Sequence, residues 1–118
     1  MYEYRAIVIK IYDGDTITVD IDLGFNIWKK KQSLRLGRIQ AAEIRGEERE
    51  VGLKIRDTLR EWLPLGSEVY VVTDKDNTGK YGRYLAEIYP YNEFITTPKE
   101  SQSYNSRLLL EEGVEPYE

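Results

Sequence analysis

The sequence contains no cysteine and no histidine among its 118 residues. Without cysteine, the chain cannot form disulfides, thiolate metal sites or a cysteine nucleophile. Without histidine, it cannot use imidazole as a metal ligand or as a general base. Any catalysis therefore depends on carboxylates, arginines, lysines, tyrosines or a hard cation that prefers oxygen ligands.

Long apolar runs are also missing, and no stretch approaches the roughly 18 apolar residues of a membrane span. The first residues, MYEYRAIVIK, lack the basic, apolar and small-residue parts of a secretory signal. We therefore expect a cytoplasmic protein with no membrane partner. The length, with 41% apolar and 32% charged residues, predicts one globular domain over residues 1–118. The oligomeric state is left open.

Basic residues are concentrated in one segment of a chain whose net charge is −4. Residues 29–45 carry a local charge of +5, which leaves −9 for the remainder. The six basic residues in this segment are Lys29, Lys30, Lys31, Arg35, Arg38 and Arg45. A basic segment on an acidic chain favours a local anion site over a long track along nucleic acid.

Hydrophobic periodicity predicts two strands at the start of the chain, at residues 4–12 and 16–23. Asp13-Gly14 between them predicts a hairpin turn of type I′, in which glycine adopts a positive φ. The side chains expected to face inward are Ile7, Ile9, Ile11, Ile17, Val19, Ile21 and Leu23.

The rest of the chain predicts a third strand that ends near Ile39, then a helix over residues 47–63. Two further strands are expected at residues 67–73 and 83–89. An irregular insertion at 90–104 precedes a short helix at 105–112. The apolar face of the long helix holds Val51, Ile55, Leu59, Trp62 and Leu63.

Three strands, a helix, two strands and a helix is the order of a five-stranded OB-fold barrel. The expected fold is therefore an α+β barrel, capped by the long helix after strand 3 and by the short C-terminal helix. We expect the barrel to close, because an open five-stranded sheet would leave unpaired edges.

Three charged motifs suggest chemistry on a phosphate group. Asp15 follows the first hairpin turn, Arg35 and Glu43 delimit the segment RLGRIQAAE, and Arg83 follows a Lys80-Tyr81-Gly82 turn. Paired arginines and carboxylates are what metal-assisted phosphodiester cleavage requires. A structural explanation stays open for each motif. Asp-Gly turns commonly bind nothing, and Arg35 paired with Glu43 or Glu87 would be a surface ion pair of about 0–1 kcal/mol.

Taken together, YDGDT at 12–16, RLGRIQAAE at 35–43 and GKYGRYLAEIY at 79–89 resemble the staphylococcal nuclease (thermonuclease) family. The resemblance covers most of residues 4–89. It implies calcium ligands at Asp15, at Gln40 and at the backbone carbonyl of Ala41. It further implies that Glu43 orients or deprotonates the attacking water and that Arg35 and Arg83 bind the phosphate. Lys80 and Tyr81 match positions that contact the nucleotide in that family.

Two positions depart from the family pattern. Gln40 stands where a second aspartate ligand is normal, and Ala42 stands where a proline often stiffens the loop. Because calcium affinity depends on the number of charged oxygen ligands, the resemblance implies a weakened calcium site.

The sequence therefore favours a calcium-dependent nuclease that cuts single-stranded or frayed DNA or RNA, and the family resemblance implies that it leaves 3′-phosphate ends. A nucleic-acid-binding barrel without catalytic activity is the alternative, because Gln40 lacks the expected charge. A third hypothesis is a protein-interaction component, favoured by the acidic remainder and the tyrosine-rich insertion. Short members of the resembled family are often carried by phages and other mobile elements, so such an origin is also expected.

Overall fold

The structure, a computed structural model, describes residues 2–40, 49–78, 84–91, 103–111 and 115–116. The elements follow in the order β1 (Tyr2–Asp13), β2 (Thr16–Asp22), β3 (Trp28–Leu36), β4 (Ile39–Gln40), α1 (Arg49–Trp62), β5 (Glu68–Thr78), β6 (Tyr84–Pro90), α2 (Tyr104–Glu111) and β7 (Glu115–Pro116).

Five of these strands form a closed barrel in the order β1-β2-β3-β6-β5. Neighbouring strands are antiparallel except β3 and β6, which run parallel and seal the barrel. A parallel pair needs a long crossover connection, and here α1 and β5 lie between its two strands along the chain. The expected OB-fold-like barrel with two helices is confirmed.

Helix α1 packs against the end of the barrel where β1 finishes. Ile55 and Leu59 of α1, together with Leu63, join the buried core. The guanidinium of Arg60 donates from Nη2 to the carbonyl of Ile11 at 2.9 Å. The helix therefore anchors the part of β1 that leads into the first hairpin turn.

The inner face of β1 differs from the prediction. Ala6 and Val8 are fully buried, whereas Ile7 and Ile9 are half-buried. A register shift between Val8 and Lys10 then turns Ile11 inward. The inward positions of β2 are confirmed for Ile17, Val19 and Ile21, but Leu23 lies beyond the end of the strand and is exposed.

The first turn and the third strand also differ from the prediction in detail. Asp13 pairs with Thr16, so Gly14 and Asp15 form the loop of the hairpin. Among the described glycines, those with a positive φ are Gly24 and Gly66, so the turn is not of type I′.

Strand β3 ends at Leu36, and a turn at Gly37 and Arg38 interrupts the alternation. Arg38 adopts a φ of 67°, which redirects the chain into β4. The turn therefore ends the strand alternation that would otherwise place Arg35, Gly37 and Ile39 on one face.

A second, two-stranded sheet was not predicted. In it, β4 pairs with β7, with Ile39 opposite Pro116 and Gln40 opposite Glu115. Two-residue strands carry no periodicity, which is why the sequence did not reveal this pair.

The predicted helices are confirmed as α1 and α2. The other predicted strands are confirmed as β5 and β6, and most of the predicted insertion lies outside the described residues. Within the described parts of the chain, neither helix is long and apolar enough to cross a membrane.

Candidate functional site

Two aspartates share the turn that joins β1 to β2. The backbone N–H of Asp15 donates to Oδ1 of Asp13 at 3.1 Å, which folds the turn around the first carboxylate. The hydroxyl of Thr16 donates to Oδ1 of Asp15 at 3.1 Å. The carbonyl of Asp15 accepts from the backbone N–H of Leu36 at 2.7 Å, so the turn is fixed to the end of β3.

The closeness of these carboxylates shows in the ionisation of Asp13. Burial, and then hydrogen bonding and charge repulsion from Asp15, raise the pKa of Asp13 to about 6. Burial disfavours the charged form of a carboxyl group, and a neighbouring carboxylate disfavours it further. The pair therefore forms an acidic site that resists carrying two negative charges in the absence of a cation.

Arg35 lies beside this acidic pair. Its Nη2 atom is 3.7 Å from Oδ2 of Asp15 and donates to the carbonyl of Ile39 at 3.3 Å. The side chains of Arg35 and Asp15 are each 14% exposed, so solvent reaches the pair only partly. The register of the hairpin explains the encounter, because Thr16 stands opposite Arg35 in the ladder of β2 and β3. Asp13, Asp15 and Arg35 form what we call the acidic–arginine cluster.

A second arginine, Arg38, is used to hold the fold together. Its Nε and Nη2 atoms donate to the carboxylate of Glu87 on β6, with Nη2 3.0 Å from Oε2. Nη2 also donates to Oγ of Ser106 on α2 at 2.8 Å. Glu87 therefore pairs with Arg38, and the ion pair between Arg35 and Glu87 considered from the sequence is not formed.

Asn105 completes the attachment of α2 and was missed by the sequence reasoning. Its side chain is fully buried, and Nδ2 donates to the carbonyls of Gly37 and Ala86 at 2.9 Å each. Its Oδ1 accepts from the backbone N–H of Ile88 at 3.0 Å. The sequence offered one signal for it: Asn105 stands three positions before Leu108, so both lie on the same face of the helix, and both are buried. Asn105 thereby fixes the turn that follows Arg35.

The remaining predicted site residues fall where the structure gives no side-chain description. Ala41, Glu43, Lys80, Tyr81 and Arg83 lie outside the described residues. Gln40 is described only through its backbone, as a member of β4. Across the described ranges, no group of three or more acidic side chains could hold a metal ion. Of the predicted residues, the structure thus brings together Asp15 and Arg35 and adds Asp13 to them.

Fold and site together define a small OB-fold-like barrel that carries an acidic–arginine cluster at the start of β2. No family model matches the chain. The chain is 29% identical to Protein ParB of Escherichia coli over 107 residues, which is 91% of this chain and 54% of that protein. The chain therefore spans about half the length of this curated relative.

These comparisons correct the family assignment made from the sequence. The similarity found is to Protein ParB and not to a staphylococcal nuclease, so the expected membership of that family is wrong. The resemblance depended on three short motifs, and short motifs carry a real risk of false matches.

Proposed function

We propose that this protein is a calcium-dependent nuclease that hydrolyses phosphodiester bonds of DNA or RNA in single-stranded or frayed regions. The observation that carries the proposal is the acidic–arginine cluster, in which Arg35 lies 3.7 Å from Asp15. Attack on a phosphodiester places negative charge on the phosphate oxygens, and an arginine beside a cation-binding carboxylate pair suits that charge.

The donor set fits a hard divalent cation. Asp13 and Asp15 offer carboxylate oxygens, which calcium prefers, and burial together with the neighbouring Asp15 raises the pKa of Asp13 to about 6. Asp13 and Asp15 would hold the ion, with Gln40 and the carbonyl of Ala41 as the further ligands expected from the sequence. When bound, calcium would supply positive charge next to the phosphate.

The protein's own residues would then divide the remaining work. Arg35 would bind the phosphate through the planar fork of its guanidinium, which matches two phosphate oxygens. Its contacts with Ile39 and Asp15 support this role, since they set its position before substrate arrives. We assign Arg83 the second phosphate contact and Glu43 the orientation or deprotonation of the attacking water. Lys80 and Tyr81 would contact the nucleotide.

A cleavage assay tests the proposal. Single-stranded DNA and plasmid are incubated with calcium, with magnesium and with a chelator, using the wild type, Glu43→Gln and Arg35→Lys. We expect cleavage that the chelator abolishes and that each substitution lowers by at least about tenfold. Glu61→Gln and Arg56→Lys, which make the same changes on α1, serve as matched controls and should cleave at the wild-type rate. Equal cleavage with and without the chelator would contradict the proposal.

The second candidate function is a barrel that binds nucleic acid without cutting it. It is favoured by Gln40, which carries no charge at a position expected to ligate the ion. The same assay distinguishes the two functions, because a binding module would retard DNA in a gel under every metal condition and leave it intact.

A further inference from the structure

The barrel has a second feature at the end where β1 begins and β2 finishes, away from the Ile11 end that α1 covers. A cavity of about 290 Å³ lies there and is lined by side chains from all five barrel strands. We call it the mouth pocket, and its lining includes Tyr2, Tyr4, Lys29, Gln32, Thr73 and Tyr84. Barrel mouths are common places for ligand sites.

A β-bulge turns Lys29 toward this pocket. Val19 pairs with Gln32 and Ile21 pairs with Lys29, so β3 advances three residues where β2 advances two. The extra residue puts Lys29 on the same face as Gln32, whereas uninterrupted alternation would put them on opposite faces. Bulges often serve to redirect a side chain at a functional site.

The bulge is held in a conformation that lysine rarely adopts. Lys31 has a φ of 54°, and its backbone N–H donates to Oδ1 of Asp20 at 2.9 Å. That hydrogen bond is the main reason that the pKa of Asp20 is lowered. Lys30 meanwhile stays on the outer surface, where Nζ lies 3.4 Å from Oδ2 of Asp20 and 5.6 Å from the ring centroid of Trp28. Lys29 therefore lines the mouth pocket, whereas its neighbour Lys30 lies on the outer surface of the barrel.

The described lining of the mouth pocket combines aromatic rings, apolar side chains and the ammonium group of Lys29. Ile21 and Leu34 form buried parts of the lining, and Tyr2 is 45% exposed, so that its ring is accessible. Aromatic rings stack on nucleobases regardless of sequence, and a lysine ammonium pairs with phosphate. We propose that the mouth pocket binds one nucleotide unit, with its base against the tyrosine rings and its phosphate at Lys29.

This inference rests on the proposed function, because it extends the nucleic-acid surface of the same protein. Leu34 and Tyr84 line the pocket and adjoin Arg35 and Leu85, which are paired across β3 and β6. Lys29 lies six positions before Arg35 on β3, at most about 20 Å away along the strand. A strand several nucleotides long could therefore contact both places, whereas a free mononucleotide would occupy the pocket alone.

Binding measured without metal tests the pocket separately from cleavage. The probes are free deoxyadenosine monophosphate and a fluorescent thymidine dodecamer, both in chelator, and the variants are Lys29→Gln, Tyr2→Leu and the control Lys30→Gln. We expect Lys29→Gln and Tyr2→Leu to weaken binding about tenfold, and Lys30→Gln by less than about twofold. Lys30→Gln removes the same charge one residue away, so it reports the general electrostatic contribution.

Each outcome decides the inference. Selective weakening with the mononucleotide assigns the pocket to free nucleotides, and selective weakening with the dodecamer alone assigns it to a unit of a strand. Equal weakening by Lys29→Gln and Lys30→Gln, or no binding of either probe to the wild type, would overturn the proposal that the mouth pocket binds a nucleotide. If Lys29→Gln and Tyr2→Leu weaken binding selectively but the wild type never cleaves DNA with calcium, the nuclease proposal is refuted and the nucleotide site in the mouth pocket is retained.

Discussion

At the scale of single residues, the ionisation of Asp13 bears on the metal site that we propose at the first turn. Asp13 and Asp15 are held together by backbone geometry, so their repulsion is built into the fold. The same proximity that disfavours two negative charges favours a cation between them. The cost of keeping this site should therefore be visible in the stability of the metal-free protein.

We predict that the free energy of unfolding depends on pH differently in the wild type and in Asp13→Asn when both are measured in the presence of a chelator. Because the native pKa of about 6 exceeds the ordinary value of 3.8, the native state holds the proton more tightly than the unfolded state. The stability that Asp13 contributes is then complete below about pH 4 and is lost as the pH rises through 6. Asp13→Asn should remove this loss and stabilise the protein at pH 7 by on the order of 1 kcal/mol, because water screens part of the charge of this half-buried carboxylate.

Urea unfolding at pH 4, 5, 6 and 7 checks this prediction. The difference between variant and wild type should grow with pH and level off above about pH 6. A constant difference across that range would mean that Asp13 ionises normally in the folded protein.

At the scale of elements, α2 is joined to the barrel by polar contacts as well as by packing. Asn105 satisfies three backbone groups, on the turn after β3 and on β6, while Leu108 of the same helix is fully buried. A buried side chain with this many partners holds its helix in one position. The helix thereby supports the chain segment that continues from Arg35.

Asn105→Ala should destabilise the protein by about 2–4 kcal/mol, because it leaves buried backbone groups without their partners. Leu110→Ala is the control on the same helix, since Leu110 is 81% exposed and its truncation should change stability by less than about 0.5 kcal/mol. Denaturant unfolding of both variants measures the difference. Equal effects would show that Asn105 does not anchor α2.

The bulge in β3 is the second feature at this scale. Lys31→Gly should stabilise the protein by about 0.5–1 kcal/mol, because glycine adopts the observed φ of 54° without strain. Lys30→Gly, at a position without a positive φ, should destabilise it by about 0.5–1 kcal/mol. Thermal unfolding shows the signs directly, and a loss of stability in both variants would argue against a strained bulge.

At the scale of the whole molecule, the barrel could be predicted from the sequence because the hydrophobic patterns of its strands and helices are local. Alternation in β2 and the apolar face of α1 predicted their elements and the buried Ile17, Val19 and Leu59. The inner face of β1 was misread because the bulge after Val8 changes which residues point inward. A bulge adds one residue without a compositional signal, so hydrophobic periodicity alone does not locate it.

The candidate site could be predicted for the residues that neighbouring strands bring together. Asp15 and Arg35 meet because β2 and β3 form one antiparallel pair, which the sequence order already implied. The ion pair of Arg38 with Glu87 joins residues 49 positions apart, and no local pattern indicates it. The family assignment failed for a related reason, since short charged motifs specify a local chemistry and not a lineage.

We propose that the acidic–arginine cluster binds a cation used in phosphodiester hydrolysis. The most direct test measures the initial rate of single-stranded DNA cleavage against calcium concentration for the wild type, Asp15→Asn and the control Asp57→Asn, which alters an exposed carboxylate on α1. We predict saturable, calcium-dependent cleavage for the wild type and the control, and at least about a tenfold higher calcium requirement for Asp15→Asn. Identical calcium curves for all three proteins, or no cleavage at any calcium concentration, would contradict the claim.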